Sequence, residues 1–295
     1  MIPPRTSNLK SEISNLMYPT LIEWGWFKIH SYGFMLMVAF AVGVLFSLKR
    51  AERYGIEREH IMDVALYILI AAIVGARLMF VLLDLLNGST AYLREPLLIF
   101  KTWRGGLSFH GGFLGGLIAG VIYCRRHGIS PLVLGDVAAP GVALGYAIAR
   151  IGCLLHGCCY GTPTDLPWAL RFPLEGHRDQ LTPPSHPTQI YSSVGGLIVC
   201  GLLLWLERWR DFPGYLFYLF IILYSVERFI VECFRKGATA RVLVAGLTEA
   251  QAASLAILLV TSILFLRGRG AKKVPTATSK SPPPRQKNRR RRRKT

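Results

Sequence analysis

The sequence predicts an all-α polytopic membrane protein, with about seven transmembrane helices and a small outer-side subdomain. Three observations predict it. The 295 residues are 52% hydrophobic and only 18% charged, against about 25% charged in a soluble globular domain. Mean hydropathy is +0.36. The apolar residues gather in runs near the roughly 20 residues that a helix needs to cross about 30 Å of hydrocarbon. This composition excludes a disordered chain, a small disulfide scaffold and an ordinary cytosolic enzyme.

Seven runs read as spans: Tyr32 to Leu48, Met62 to Leu86, Leu107 to Tyr123, Leu132 to Ile151, Gln189 to Leu206, Gly214 to Phe234, and Ala250 to Leu266. The first, third and last stand on hydropathy alone. The second, fourth and sixth carry interior charge: Arg77, Arg150, and Glu227 with Arg228 and Glu232. The polar start of the chain shows no cleavable signal peptide, so the first run reads as a permanent span.

Orientation follows from basic residues in the short loops. Lys49, Arg50, Arg53 and Arg58 follow the first span, Arg125 and Arg126 the third, and Arg208 and Arg210 the fifth. This predicts an outside N-terminus and an inside C-terminus. The expected organisation is an outer-side segment (1–30), helices one to four (31–151), an outer-side loop subdomain (152–188), helices five to seven (189–267), and a disordered polybasic cytoplasmic tail (268–295). From Arg267 onward there are 13 Lys/Arg and no acid, so most of the formal net charge of +18 belongs to the tail. Such a tail either fixes topology and solubility or binds anionic lipid head groups. No recognition module precedes it, so no nucleic-acid partner is expected.

Charge inside a bilayer is expensive and usually faces a polar cavity. Arginine keeps its proton, so Arg77, Arg150 and Arg228 must each meet an anion or a set of carbonyls. Tyr224, Arg228 and Glu232 recur every four residues and share one helix face. Glu227 points about 100° away from Arg228. Two readings fit this face: an internal Arg228–Glu232 ion pair that orders the bundle, or an Arg228 that Glu232 aims at a phosphate. His110 lies among Gly111, Gly112, Gly115 and Gly116. It reads as a packed polar residue or as a base beside a ligand. His30 and Tyr32 flank the first span, where interfacial anchoring is the default.

Cys153, His156, Cys158 and Cys159 lie within seven residues. Zinc favours such ligands. Structural zinc sites normally pair two separated clusters, however, and no second Cys/His pair follows. The expected role is a tight glycine-framed turn beyond the fourth span, and no metal or other cofactor is expected. Cys200 and Cys233, inside apolar runs, read as small core residues.

Five motifs stand in one order: Tyr32-Gly33; SFHGG at Ser108 to Gly112; ARIG…G…YG from Ala149 to Gly161; HPTQIY from His186 to Tyr191; and Y-x3-R-x3-E-x2-R from Tyr224 to Arg235. Together they resemble the bacterial phosphatidylglycerol–prolipoprotein diacylglyceryl transferase family, over about Trp26 to Leu266. The resemblance implies transfer of a diacylglyceryl group from phosphatidylglycerol to the lipobox cysteine of a prolipoprotein, with release of glycerol phosphate, in the bacterial inner membrane. It places the family's histidine on His110, its signature arginine on Arg150 and its sixth-span arginine on Arg228, as catalytic residues. Arg150 and Arg228, with Tyr32, Tyr224, Glu232 and Gly161, are implied as substrate-binding. The implied partners are phosphatidylglycerol and a prolipoprotein signal peptide. The family signature commonly reads G-R-x-G-N-F-x-N-G-E-x-x-G. Here Ala149 replaces the first Gly, Cys153 and His156 the two Asn, and Cys158 the Glu. These exchanges leave open a related lipid transferase with another acceptor. Intramembrane charge also leaves open a transporter-like protein.

Overall fold

The structure, a computed structural model, describes residues 17–24, 27–101, 105–174, 177–235, 242–244 and 246–270. Residues 1–16 of the expected N-terminal segment and the polybasic tail from residue 271 lie outside the described residues.

All seven expected spans are helical. They are α1 (Ser31–Ala51), α2 (Arg58–Leu86), α3 (Phe109–Arg126), α4 (Pro131–His156), α5 (Thr188–Leu206), α6 (Tyr215–Glu232) and α7 (Glu249–Gly270). Length and composition qualify five of them to cross a membrane: α1, α2, α4, α5 and α7. Helix α3, read above as a span on hydropathy alone, and α6 do not qualify by that measure. The other two have 18 residues each, about 27 Å at 1.5 Å per residue. Five glycines and the terminal Arg125-Arg126 dilute α3, and Glu227, Arg228 and Glu232 charge α6. The spanning helices turn large apolar side chains outward. Leu66, Tyr67, Ile70, Ile73 and Val74 of α2 are all exposed, as lipid-facing positions should be.

Helix α4 is central and packs against α1, α5 and α6, while α2 pairs with α3 and α6 with α7. The α1–α4 contact is antiparallel and built on small residues. A Cβ on Gly152 would meet Met35 Cβ at 2.8 Å, one on Gly145 the Ala39 carbonyl at 3.0 Å, and one on Gly141 the Gly43 carbonyl at 2.7 Å. Small residues let backbones approach where lipid gives helices no hydrophobic reason to associate.

The far end of this pair is fastened by a proline and an arginine. Pro140 lies inside α4 and lacks the N–H that would bond the Asp136 carbonyl. Arg50 of α1 takes up the freed backbone: Nη2 donates to Asp136 O at 3.4 Å and Nε to Val137 O at 3.2 Å. Its Nη1 pairs with Glu207 at 2.7 Å, and Tyr54 donates to the same carboxylate at 2.9 Å. The Asp136 side chain, fully buried, caps α6 by accepting from the Gly214 and Phe217 amides at 2.8 and 3.0 Å. Arg77 of α2 meets four carbonyls, Leu98, Ile99, Gly105 and Gly106, at 2.6 to 2.9 Å. It satisfies the requirement for carbonyls, which take up its donors within the fold.

At the opposite end, strands β1 (Thr20–Trp24) and β2 (Phe27–His30) form an antiparallel hairpin leading into α1. Helix α4 runs on to His156, so Gly152, Cys153 and His156, expected in the loop, are helical; Gly157 ends the helix at φ 80°. Beyond it, Tyr160 stacks on the buried Phe172 at 5.0 Å, and β3 (Pro173–Leu174) pairs with β4 (His177–Leu181). Strands β5 (Val242–Val244) and β6 (Leu247–Thr248) precede α7. There Thr248 and Gln251 exchange side-chain-to-amide bonds at 3.0 and 3.2 Å, a capping box that starts the helix.

Candidate active site

Helices α4 and α6 assemble the polar centre. Tyr146 and Arg150 stand one turn apart on α4 and so share a face. The Arg150 guanidinium lies over the Tyr146 ring, 4.9 Å from its centroid, within cation–π range. The Tyr146 hydroxyl donates to Glu227 of α6, at 3.2 Å to Oε2 and 3.4 Å to Oε1. Tyr224 meets the Tyr146 ring edge-on at 5.2 Å. Helix α5 makes the room. A Cβ on Gly195 would press on Glu227 Cγ at 2.7 Å, and one on Gly196 on Tyr146 Cδ1 at 2.9 Å. Ser193 Oγ donates to the Ala147 carbonyl at 3.0 Å, fastening α5 to α4.

Among the described residues, no acceptor is hydrogen-bonded to the half-buried Arg150 guanidinium. Its donors are available to an anion. Arg228, one residue beyond Glu227, forms the expected pair with Glu232, through Nη1 and Oε2. The Arg228 side chain is 14% exposed and that of Glu232 fully buried. The second Glu232 oxygen is buried without a partner among the described residues. Both guanidinium groups lie close enough to Glu227 for their charge to act on its carboxylate. The helical offset of Glu227 from Arg228 is therefore real and sends the acid to Tyr146.

The other expected residues fall in different settings. Tyr32, 42% exposed, stands beside Arg150 and the thiols of Cys153, Cys158 and Cys159, with its ring 6.5 Å from that of His156. Gly161 is buried and faces no opening. Its amide donates to His186 O at 2.8 Å, it bridges to Arg235, and a Cβ there would strike the Phe234 carbonyl and the His186 side chain. Gly161 is thus closely packed. His110 is exposed in the first turn of α3, its ring beside Phe109 at 5.8 Å. It lies toward the same end of the bundle as Arg150, but no contact among the described residues joins it to the arginines.

Sequence reasoning missed Tyr146 and Glu227 as site residues. The signal for Tyr146 was its i, i+4 spacing to Arg150; for Glu227 it was a second intramembrane acid facing away from the Arg228 pair. The sequence also gave no sign of an apolar crevice of about 450 Å³ between α1, α2 and α4. Leu36, Phe40, Val64, Ile68, Leu134 and Val142 line it, and its wall includes Tyr146 and Ala149, the neighbours of Arg150.

Fold and site together define a multi-pass helical membrane protein with a charged polar centre adjoining an apolar crevice. Comparison with known proteins makes this particular. The model of the prolipoprotein diacylglyceryl transferase family matches residues 19–267. The phosphatidylglycerol–prolipoprotein diacylglyceryl transferase of Clostridium tetani is 35% identical over 222 residues, 74% of this chain and 86% of that protein. The Gloeobacter violaceus protein of that name is 35% identical over 267 residues, 86% of this chain and 95% of its own length. The Polynucleobacter asymbioticus one is 37% identical over 224 residues, covering 74% and 83%. The chain belongs to the prolipoprotein diacylglyceryl transferase family, a family of membrane transferases.

Proposed function

We propose that this chain transfers the diacylglyceryl group of phosphatidylglycerol to the lipobox cysteine of prolipoproteins in the bacterial inner membrane. A C–S bond forms at the glyceryl carbon, the C–O bond to phosphate breaks, and glycerol phosphate leaves. The observation that carries this reading is Arg150: a half-buried guanidinium without a hydrogen-bonded acceptor among the described residues, next to an apolar crevice. An anionic head group and its acyl chains need that pairing of environments.

Arg150 and Arg228 hold the lipid phosphate and neutralise the charge that builds as the C–O bond breaks. Preorganised cations in a water-poor site are the strongest means of doing so. Glu232 orients Arg228 through their ion pair, and Tyr224 supports the Tyr146 ring beneath Arg150. Tyr32, at the start of α1, contacts the head group. His110 accepts the proton of the incoming thiol, a task suited to imidazole; its exposed position leaves it open to an approaching peptide. The acyl chains lie in the crevice between α1, α2 and α4.

The chain crosses the membrane seven times, with α3 and α6 completing the count and the N-terminus outside. The β1–β2 hairpin and the loop subdomain after α4 then share the outer side with the site. The test is transfer from phosphatidylglycerol vesicles to a lipobox peptide by the purified full chain. Arg150→Ala and His110→Gln are expected to lose transfer at least 10-fold each. Release of glycerol phosphate without any dependence on the peptide cysteine would point instead to another acceptor.

A further inference from the structure

The best-organised cluster of reactive side chains outside the phosphate site is the thiol group at the end of α4. Cys153 occupies the last helical turn. Gly157 turns the chain at φ 80°, and Cys159 follows at φ 65°, the one non-glycine residue with positive φ among those described. A side chain with a Cβ adopts that conformation at a cost and keeps it only when surroundings impose it. Two hydrogen bonds from the start of α5 impose it here. Thr188 Oγ1 donates to the Cys159 carbonyl and Gln189 Nε2 to the Cys158 carbonyl, each at 2.6 Å. The result is that the Sγ atoms of Cys153, Cys158 and Cys159 all lie within 4.8 Å of one another.

The side chain that clamps this loop is itself deeply buried. Gln189 is 1% exposed, and its Oε1 is buried with no partner among the described residues. A buried acceptor without a donor thus sits on the side chain that clamps the thiol loop.

We infer that Cys153, Cys158 and Cys159 form a three-thiolate site for a thiophilic divalent cation of the zinc type. Spacing in the sequence shows no second ligand pair; the backbone reversal after Gly157 makes one from consecutive residues. Thiolates on a tetrahedral zinc stand roughly 3.8 Å apart at bonds of about 2.3 Å, so closing the site needs shifts of about 1 Å or less. Binding makes three metal–sulfur bonds and releases thiol protons to solvent; it needs no oxidant. The fourth position belongs to water. His156 takes no part, since its ring faces Tyr32, and His186 is engaged with the Tyr191 hydroxyl at 3.1 Å.

The experiment uses the reduced full chain in detergent, equilibrated with zinc and freed of excess metal. The expected result is one zinc per chain. With cobalt in its place, a thiolate-to-cobalt charge-transfer band appears in the near ultraviolet. Cys153→Ser, Cys158→Ser and Cys159→Ser each weaken binding at least 10-fold and diminish the band, while Cys233→Ser leaves both unchanged. The inference is overturned if the unsubstituted chain shows no thiolate band with stoichiometric cobalt, a result independent of how the variants fold. It is equally overturned if the three serine variants bind as well as the parent, or if Cys233→Ser loses binding as they do. None of these readouts depends on diacylglyceryl transfer.

Discussion

The Tyr146 hydroxyl donates to both carboxylate oxygens of Glu227, at 3.2 and 3.4 Å, while the same ring lies 4.9 Å beneath the Arg150 guanidinium. One tyrosine thus touches a carboxylate on α6 and a guanidinium cation on α4. Glu227 is kept from pairing directly with Arg150, whose fork stays available for a substrate anion.

Tyr146→Phe keeps the ring and removes the donor. Interhelical hydrogen bonds in membranes are worth about 0.6 kcal/mol on average and up to about 1.7. The expected outcome is a loss of that order in stability and a several-fold fall in transfer rate, as Glu227 swings toward Arg150. Tyr146→Leu, which also removes the ring, should fall further. Initial rates with phosphatidylglycerol vesicles measure both, and a Tyr146→Phe enzyme as fast as the parent would show that Glu227 needs no such restraint.

Arg228→Lys and Arg228→Ala should separate charge from geometry. Alanine leaves Glu232 fully buried and unpaired, a change that destabilises by about 3–5 kcal/mol. Lysine keeps the charge but loses the bidentate fork. It is expected to accumulate and melt nearly as the parent does, with transfer at least 10-fold slower. Thermal unfolding in detergent alongside the transfer assay reads the split.

Asp136→Ala removes two side-chain bonds to the first turn of α6. Losing such a cap destabilises by about 1–2 kcal/mol. Asp136 stands 14 residues before Arg150 on one helix, roughly 21 Å away along its axis. The thermal midpoint should therefore drop while the transfer rate well below it stays near that of the parent. A variant with normal stability but no activity would contradict the separation of cap and site.

Gly75→Ala should loosen the α2–α3 pair, since its Cβ would meet the Gly111 carbonyl at 2.5 Å and Gly115 Cα at 3.2 Å. Gly201→Ala meets nothing within 4 Å and should be neutral or stabilising by up to about 1 kcal/mol, the helix preference of alanine over glycine. Accumulation in membranes and the unfolding midpoint distinguish them.

The helices were legible because hydrocarbon demands unbroken apolar runs of defined length, and the observed helices contain the expected spans nearly whole. Arg77 was legible as a cation needing partners, though not which ones, because four carbonyls reach it from a loop 21 to 29 residues away. The Arg228–Glu232 pair followed from spacing alone. The Tyr146–Glu227 pair did not, because it spans 81 residues and depends on room left by Gly195 and Gly196. The meeting of three thiols was hidden for another reason: it turns on the positive φ of Gly157 and Cys159. Helix α4 runs past the expected end at Ile151 to His156, with Gly152 in close contact with Met35.

The central claim is that Arg150 and Arg228 receive one phosphate. The most direct measurement is a cryo-electron microscopy map of the full chain with bound phosphatidylglycerol. The account predicts the lipid phosphate within hydrogen-bonding reach of both guanidinium groups, with an acyl chain running along Phe40 and Val142. A head group held elsewhere, contacting neither arginine, would contradict it.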